Sequence, residues 1–381
     1  MCVECLEDEG LQEYARSHGS VRRCDYCGGD GPSVVPIESL IDFIRSRIRE
    51  EWCDPAETMS YDSREGGYLG DIFDAEDLFY KLGLDISNDR LRRDLVSEFD
   101  GHPWCAKDWE LLAPSERWIY GWELFQHVVK HRRRYSFWYD EGDIEEVNHP
   151  DHLPPSGFLA EIGGTLQQGG LLKTVPAGIR VWRVRDHEVG RALELPKDLT
   201  APPVEHARQP NRFSPPGIPM FYAADEFETA CLEVTAAREK SSVKMSVSGV
   251  QFRNMIPLNI LDLTSVPALP SYFSQHGPRR RHVLTFLKKF AADISLPIRK
   301  DGVQHIEYVP TQVFTEFVRY ILKIAPFWPI HGMKYSSSRD GKPSWVIFAN
   351  QAECLPHDAP LDFVRQILQC IPESFKTVPV S

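Results

Sequence analysis

Apolar residues recur at two periods along this chain, and the change of period divides it. Ile37, Leu40, Ile41, Ile44 and Ile48 fall at helical spacing behind Pro36, a residue suited to a first helical turn. Leu91, Leu95 and Phe99 repeat the pattern. Trp118, Trp122, Phe125 and Val129 do so again, behind Pro114 and Ser115. Stripes of this kind mean packing between helices, so residues 36–135 are expected to form a helical domain. Residues 136–157 are acidic and contain prolines, and read as a linker.

Beyond the linker the pattern alternates as in a strand. Ile179, Val181, Arg183 and Arg185 occupy one face, and Arg180, Trp182 and Val184 the other. Residues 194–219 follow, with so many prolines that a long regular element is excluded. Residues 220–223 predict a short apolar strand. Asp225, with an acid three positions on at Glu228, signals a helix start. The helix that follows places Phe227, Ala230, Cys231 and Val234 on one face. Further strands are predicted over 243–250, 256–263 and 345–349, and helices over 282–294 and 311–324. The fold class is therefore α+β, with a mixed α+β domain over 158–355 and a C-terminal extension over 356–381. No internal repeat or low-complexity tract is present.

Composition narrows the function. The 381 residues are 42% hydrophobic, enough to bury a sizeable core. The best candidate for a membrane span, residues 314–330, is interrupted by Glu316, Arg319, Lys323 and two prolines. The first residues lack the basic and apolar segments of a secretory signal, which implies a cytoplasmic protein. The net charge of -12 argues against charge-driven binding to nucleic acid. The basic runs 131–134 and 279–282 read as solvated helix ends or loops.

Four of the nine cysteines sit in the first 27 residues. Cys2-x-x-Cys5 and Cys24-x-x-Cys27 form two pairs, each able to place two thiolates on one metal. Together they predict a four-thiolate zinc site over residues 1–32. Four protein ligands close the coordination shell, so such a zinc would be structural. The other cysteines are scattered and read as small buried apolar residues.

The chemically suggestive residues come later. Asn211-Arg212-Phe213-Ser214-Pro215-Pro216-Gly217 leads into Tyr222 and then Glu233. Tyr308-Val309-Pro310-Thr311-Gln312 follows, and then Gly332-Met333-Lys334-Tyr335-Ser336-Ser337-Ser338-Arg339. Over residues 165–350 this order resembles the RES-domain family, named for its Arg, Glu and Ser. Asn211 stands where that family usually has Gly, and Ser336 where it has Pro. Spacing alone does not choose among Glu226, Glu228 and Glu233; the family pattern selects Glu233. Alignment on Tyr335 and Arg339 selects Ser337 among the three serines.

The resemblance implies an enzyme that consumes NAD on a scaffold similar to the ADP-ribosyltransferase fold, toxin-like, cleaving by hydrolysis or phosphorolysis. It implies catalytic roles for Arg212, Tyr222, Glu233 and Ser337, and NAD contacts from Arg183, Arg212, Tyr222, Thr311 and Gln312. The residue types suit that chemistry. Arginine presents a planar charged fork to phosphate oxygens. The nicotinamide leaving group is already cationic, so one carboxylate beside the oxocarbenium-like centre suffices. Residues 36–135 resemble the helical domain found ahead of RES domains, related to HEPN bundles, without the R-x(4–6)-H motif of the nuclease-active ones. That half is expected to sense or bind, and an antitoxin or regulatory protein is the partner the family implies. Two other functions fit the same residues: transfer of ADP-ribose to a protein, or an inactive RES-like module whose N-terminal half docks a partner or RNA.

Overall fold

The computed structural model describes residues 1–139, 151, 153–235, 244–297, 302–324, 328–355 and 366–379. The chain divides into two compact units. The first comprises Met1–Arg117, His149–His152 and Pro267–Phe286; the second comprises Trp118–Asn148, Leu153–Val266 and Leu287–Ser381.

In the first unit, α1 (Glu9–His18) starts where Asp8 accepts the Leu11 amide at 2.9 Å. Strands β1 (Ser20–Arg23) and β2 (Asp30–Val34) pair antiparallel. Helix α2 (Ile37–Ile48) buries Leu40, Ile44 and Ile48, as its apolar spacing predicts. Three short pieces follow: β3 (Trp52–Cys53), α3 (Pro55–Thr58) and the ribbon β4 (Tyr61–Asp62) with β5 (Gly67–Tyr68). Helix α4 (Ala75–Leu82) is capped by Asp74 and ends at Gly83, whose φ of 76° suits glycine. Helix α5 (Asp89–Phe99) is capped by Asn88, and β6 (Cys105–Ala106) pairs antiparallel with β3. Leu11, Leu40, Ile44, Leu78, Leu91, Leu95 and Phe99 share one core. The helical expectation for 36–135 thus needs two additions, the β3–β6 and β4–β5 pairs. Two-residue strands carry no alternation for a sequence to show.

Helix α6 (Pro114–His131) belongs to the second unit from Trp118 onward. There Trp122 and Phe125 stack on Phe158 of α7 (Pro155–Gln168), with ring centroids 5.6 and 5.1 Å apart. The middle of the expected linker, residues 140–150 and 152, lies outside the described residues; residues 155–157 already form the first turn of α7.

The rest of this unit is a nine-stranded sheet with flanking helices. In chain order come β7 (Leu172–Val175), β8 (Arg180–Glu188), β9 (Phe221–Ala224), α8 (Phe227–Thr235), β10 (Met245–Asn254) and β11 (Leu258–Asp262). Then follow α9 (Gly277–Ser295), which joins this unit from Leu287, α10 (Gln304–Glu307), α11 (Val309–Tyr320), β12 (Gly332–Ser336), β13 (Pro343–Ile347), β14 (Cys354–Leu355) and β15 (Leu368–Pro379). The strand order is β14-β15-β10-β8-β9-β13-β12-β11-β7. Pairing is antiparallel except at β11–β12 and β14–β15. Residues 368–379, set apart by the sequence as an extension, therefore supply a strand of the main sheet. Residues 356–365 lie outside the described residues. Among the described residues no helix is long and apolar enough to cross a membrane.

One junction in this sheet differs from its neighbours. β8 pairs with β10 over nine positions and β9 pairs with β13 over four, whereas β8 and β9 share only Trp182↔Ala224. The two halves of the sheet therefore meet at one residue pair. Val181 packs on one side of β8 with Phe221 and Phe252, and Val184 on the other with Phe227 and Ala230 of α8, following the predicted alternation.

Gly249 of β10 lies where α8 presses on the sheet. A Cβ there would stand 2.6 Å from Val184 Cγ1, 2.8 Å from Phe227 Cε2 and 3.1 Å from the Arg183 carbonyl. Overpacking of this kind costs about 1–3 kcal/mol. Gly249→Val is expected to lose that amount in urea unfolding, and an unchanged midpoint would show that α8 does not bear on β10.

Candidate functional site

A cavity of about 650 Å³ lies wholly in the second unit, where β8 and β9 part. Strand β8 contributes Arg183 and Asp186, β9 contributes Tyr222, and α8 contributes Glu233. The proline-rich loop brings Arg208 and Arg212, Tyr308 stands just before α11, and Ser338 and Arg339 follow β12. Four arginines thus face two carboxylates in a chain whose net charge is -12. The local excess of positive charge suits an anionic ligand.

Arg183 is the most enclosed of these cations. Its Nη1 donates to the Tyr222 carbonyl at 2.8 Å, across the gap between the strands, and the guanidinium lies 5.6 Å from the Phe221 ring centroid. Burial pulls its pKa down to about 10, which still leaves it a cation at neutral pH. Its Nε is buried and unpartnered among the described residues. Arg212 donates from Nη1 to the carbonyl of Ile294, at the end of α9.

Spacing does not choose among three acids at or just before α8, and the structure separates them. Glu226 is exposed and paired with Lys342 at 2.5 Å, Glu228 is exposed, and Glu233 faces the cavity. The Ser337 hydroxyl donates to Glu233 Oε1 at 2.5 Å. Ser337 is itself held in a tight turn, where its oxygen accepts the Arg339 amide at 3.2 Å and its own amide reaches Lys342 O at 2.8 Å. It is buried behind the cavity wall, which Ser338 lines instead. The Thr229 hydroxyl ties α8 to the same turn through Asp340 at 2.7 Å. Asp225, read from the sequence as a helix-start signal, holds two other partners: it accepts the Trp345 indole N–H at 2.6 Å and pairs with Lys334 at 2.8 Å.

Three tyrosines border the cavity, and all are held as neutral phenols. Burial pushes Tyr222 up to about 12. Burial, then the nearby Glu233 carboxylate, raises Tyr335 well above its ordinary value. Tyr308 is raised by burial against the opposing pull of Arg212 and Arg339. Each is therefore a hydrogen-bonding group at neutral pH, not a base. The Tyr222 oxygen already accepts the Phe213 amide at 3.3 Å and bonds the Ser214 hydroxyl at 2.9 Å.

Of the residues singled out from sequence, Arg183, Arg212, Tyr222 and Glu233 line the cavity, and Ser337 touches Glu233. Thr311 and Gln312, expected to contact a cofactor, are placed elsewhere. Both are buried, and their side chains bond carbonyls of the proline-rich loop. Tyr308, Arg208 and Arg339 line the cavity without having been singled out. Tyr308 opens the motif at 308–312 and Arg339 closes the motif at 332–339, a signal that could have found them; Arg208 stands in no motif.

At the N-terminus, the sulfurs of Cys2, Cys5, Cys24 and Cys27 all lie within 4.8 Å of one another. Cys2–Cys5, Cys2–Cys27 and Cys5–Cys24 are separated by 3.7, 3.5 and 3.8 Å. A tetrahedron of metal–sulfur bonds about 2.3 Å long has an edge of about 3.8 Å, so the set fits one metal. Gly28, at φ 73°, turns the chain directly after Cys27. Burial opposes a thiolate at Cys24, but amides of Cys27 and Tyr26 donate to it and bring it down to about 6.

Residues 17–143 match the model of HEPN/RES N-terminal domain 1, and residues 180–366 match that of the RES domain. No curated protein and no solved structure matches the chain. At the level of the family, a RES domain carries an NAD-related, toxin-like function. The order of the two domains and the cavity inside the second lead to the same assignment: this chain belongs to the RES-domain family, with a HEPN/RES N-terminal domain ahead of its RES domain.

Proposed function

We propose that the cavity binds NAD and cleaves its nicotinamide–ribose bond, by hydrolysis or phosphorolysis. The observation that carries this reading is Glu233, held by Ser337 in a cavity walled by four arginines. The pyrophosphate of NAD needs cationic forks, and Arg183 and Arg212 line the cavity to supply them. When the ribose C1′–nicotinamide bond breaks, its electron pair leaves with the ring, which departs neutral. The ribosyl centre then carries positive charge, which the Glu233 carboxylate offsets while the acceptor oxygen adds and gives up its proton. Ser337 fixes the carboxylate by holding one of its oxygens. Tyr222 and Tyr308 offer phenol groups and ring faces to the ribose or nicotinamide. An ADP-ribosyltransferase-like scaffold belongs to the same reading, as does a partner protein that restrains the enzyme in the cell.

Purified protein incubated with NAD is expected to release nicotinamide. Glu233→Ala should slow turnover about 10²–10⁴-fold, the usual worth of one positioned acid–base group. Arg212→Ala should act mainly on KM. Product analysis with and without inorganic phosphate separates hydrolysis from phosphorolysis, and mass spectrometry of added protein detects transfer to a side chain. No nicotinamide release at high enzyme concentration would overturn the reading and leave a binding module.

For the N-terminal cluster we propose one zinc held by Cys2, Cys5, Cys24 and Cys27. All four positions would be protein ligands, so the metal would brace the β1–β2 hairpin and α1 and do no chemistry. Metal analysis should find about one zinc per chain. Cys24→Ser should lower that content and the melting temperature together. Full metal-free protein with the same melting temperature would count against a structural zinc.

A further inference from the structure

The proline-rich loop over residues 194–219 has few ladder bonds of its own, yet its segment 211–214 must hold Arg212 steady. Its internal bonds are one reciprocal pair, Asn211 N to Ser214 O at 2.9 Å and Ser214 N to Asn211 O at 3.3 Å. Side chains grip this backbone from two sides. From α11, the Thr311 hydroxyl donates to Arg212 O at 2.5 Å, sharing its proton with Tyr308 O at 2.9 Å. Gln312 Nε2 donates to Asn211 O at 2.8 Å and to Ser214 O at 3.3 Å. From β9, the Tyr222 hydroxyl oxygen accepts the Phe213 amide and bonds Ser214 Oγ. The Phe213 ring is fully buried, edge-on to Tyr335 at 4.7 Å.

We infer that Thr311 and Gln312 are positioning residues, which touch no substrate and act by clamping the backbone of residues 211–214 so that Arg212 is aimed into the cavity. The inference rests on the reading that Arg212 holds a phosphate of the substrate. Both side chains are buried, and their hydrogen bonds run to backbone carbonyls. Neither lines the cavity. A side chain so engaged has little left for a ligand, while the loop it holds carries one. Small displacements matter at such a site, because a shift of about 1 Å in a positioning group can cost on the order of 10²-fold in rate.

The test uses the full chain with Thr311→Val and Gln312→Met, which remove the donors at nearly constant volume, and Thr311→Ser, which restores the hydroxyl. Amide hydrogen exchange at Phe213 and Ser214 is expected to quicken in the first two variants and return toward the parent in the third. Exchange at β13 amides should stay slow. A variant that loses protection at both places has unfolded, and Gln312→Leu, which removes the N–H donors without adding a charge, takes its place. KM for NAD should rise about tenfold, the scale of one or two neutral hydrogen bonds, with kcat nearly constant. In an Arg212→Ala background the same substitutions should add little, since residues that act through one another are not additive. Unchanged exchange at Phe213 and Ser214, or an equal KM effect with and without Arg212, would overturn the inference. If the parent protein turns over no NAD, the exchange result still decides the clamp, and it is the proposed reaction that fails.

Discussion

Everything at the site depends on how β8 meets β9. Two adjacent strands in a sheet normally exchange backbone bonds along their length, and here they share one pair, Trp182↔Ala224. A sheet interrupted this way leaves backbone groups that need other partners. Arg183 meets part of that need by sending its guanidinium to the Tyr222 carbonyl. The cleft and its most enclosed cation thus arise from the same break. Removing a guanidinium from water is costly unless its hydrogen-bonding groups are used. Its buried Nε lacks a partner among the described residues, so the cost is only partly offset within the chain. An anion in the cleft would lower it further, which couples ligand binding to the stability of the junction.

The elements around this break were largely readable from sequence, because each has a strong local cause. Val181, Trp182 and Val184 alternate and are sorted to opposite faces as strand geometry requires. Ile44 and Ile48 recur at helical spacing and are fully buried. Other features have no local cause. Asp225 looks like a cap by its neighbours in sequence, yet Trp345 and Lys334 claim its carboxylate from β13 and β12. Strand β15 lies beyond an apparent domain end and finds its place by pairing with β10 and β14. Thr311 and Gln312 are polar residues at a helix start, and nothing near them in sequence says that they face a loop a hundred positions earlier.

Charge at the site is arranged against the trend of the chain. A protein with net charge -12 concentrates four arginines around one cavity and keeps its bordering tyrosines protonated by burial. Neutral phenols beside arginines add hydrogen-bonding groups without cancelling positive charge. The single carboxylate that does face the cavity from α8 is the one fixed by a serine, while its neighbour Glu226 is drawn to Lys342 at the surface. The acids are separated by where they stand along the helix: Glu226 precedes its first turn and meets Lys342, whereas Glu233 lies in its last turn, beside the cavity and Ser337.

A loop rich in proline is a poor place for a residue that must be held still, unless something outside the loop holds it. Proline removes amide donors and so removes the means by which a loop could order itself. It also restricts the backbone beforehand, so less entropy is lost when external bonds fix the chain. The segment 211–214, bounded by Pro210 and Pro215, is held in this way from outside. The carbonyls of Asn211, Arg212 and Ser214 go to Thr311 and Gln312, and the Phe213 amide goes to Tyr222. Tyr222 therefore faces two ways: its ring borders the cavity while its hydroxyl secures the loop that carries Arg212. Serine, threonine, glutamine and tyrosine at this site are best understood as the frame that replaces a missing ladder, and the two arginines and Glu233 as the groups that frame presents.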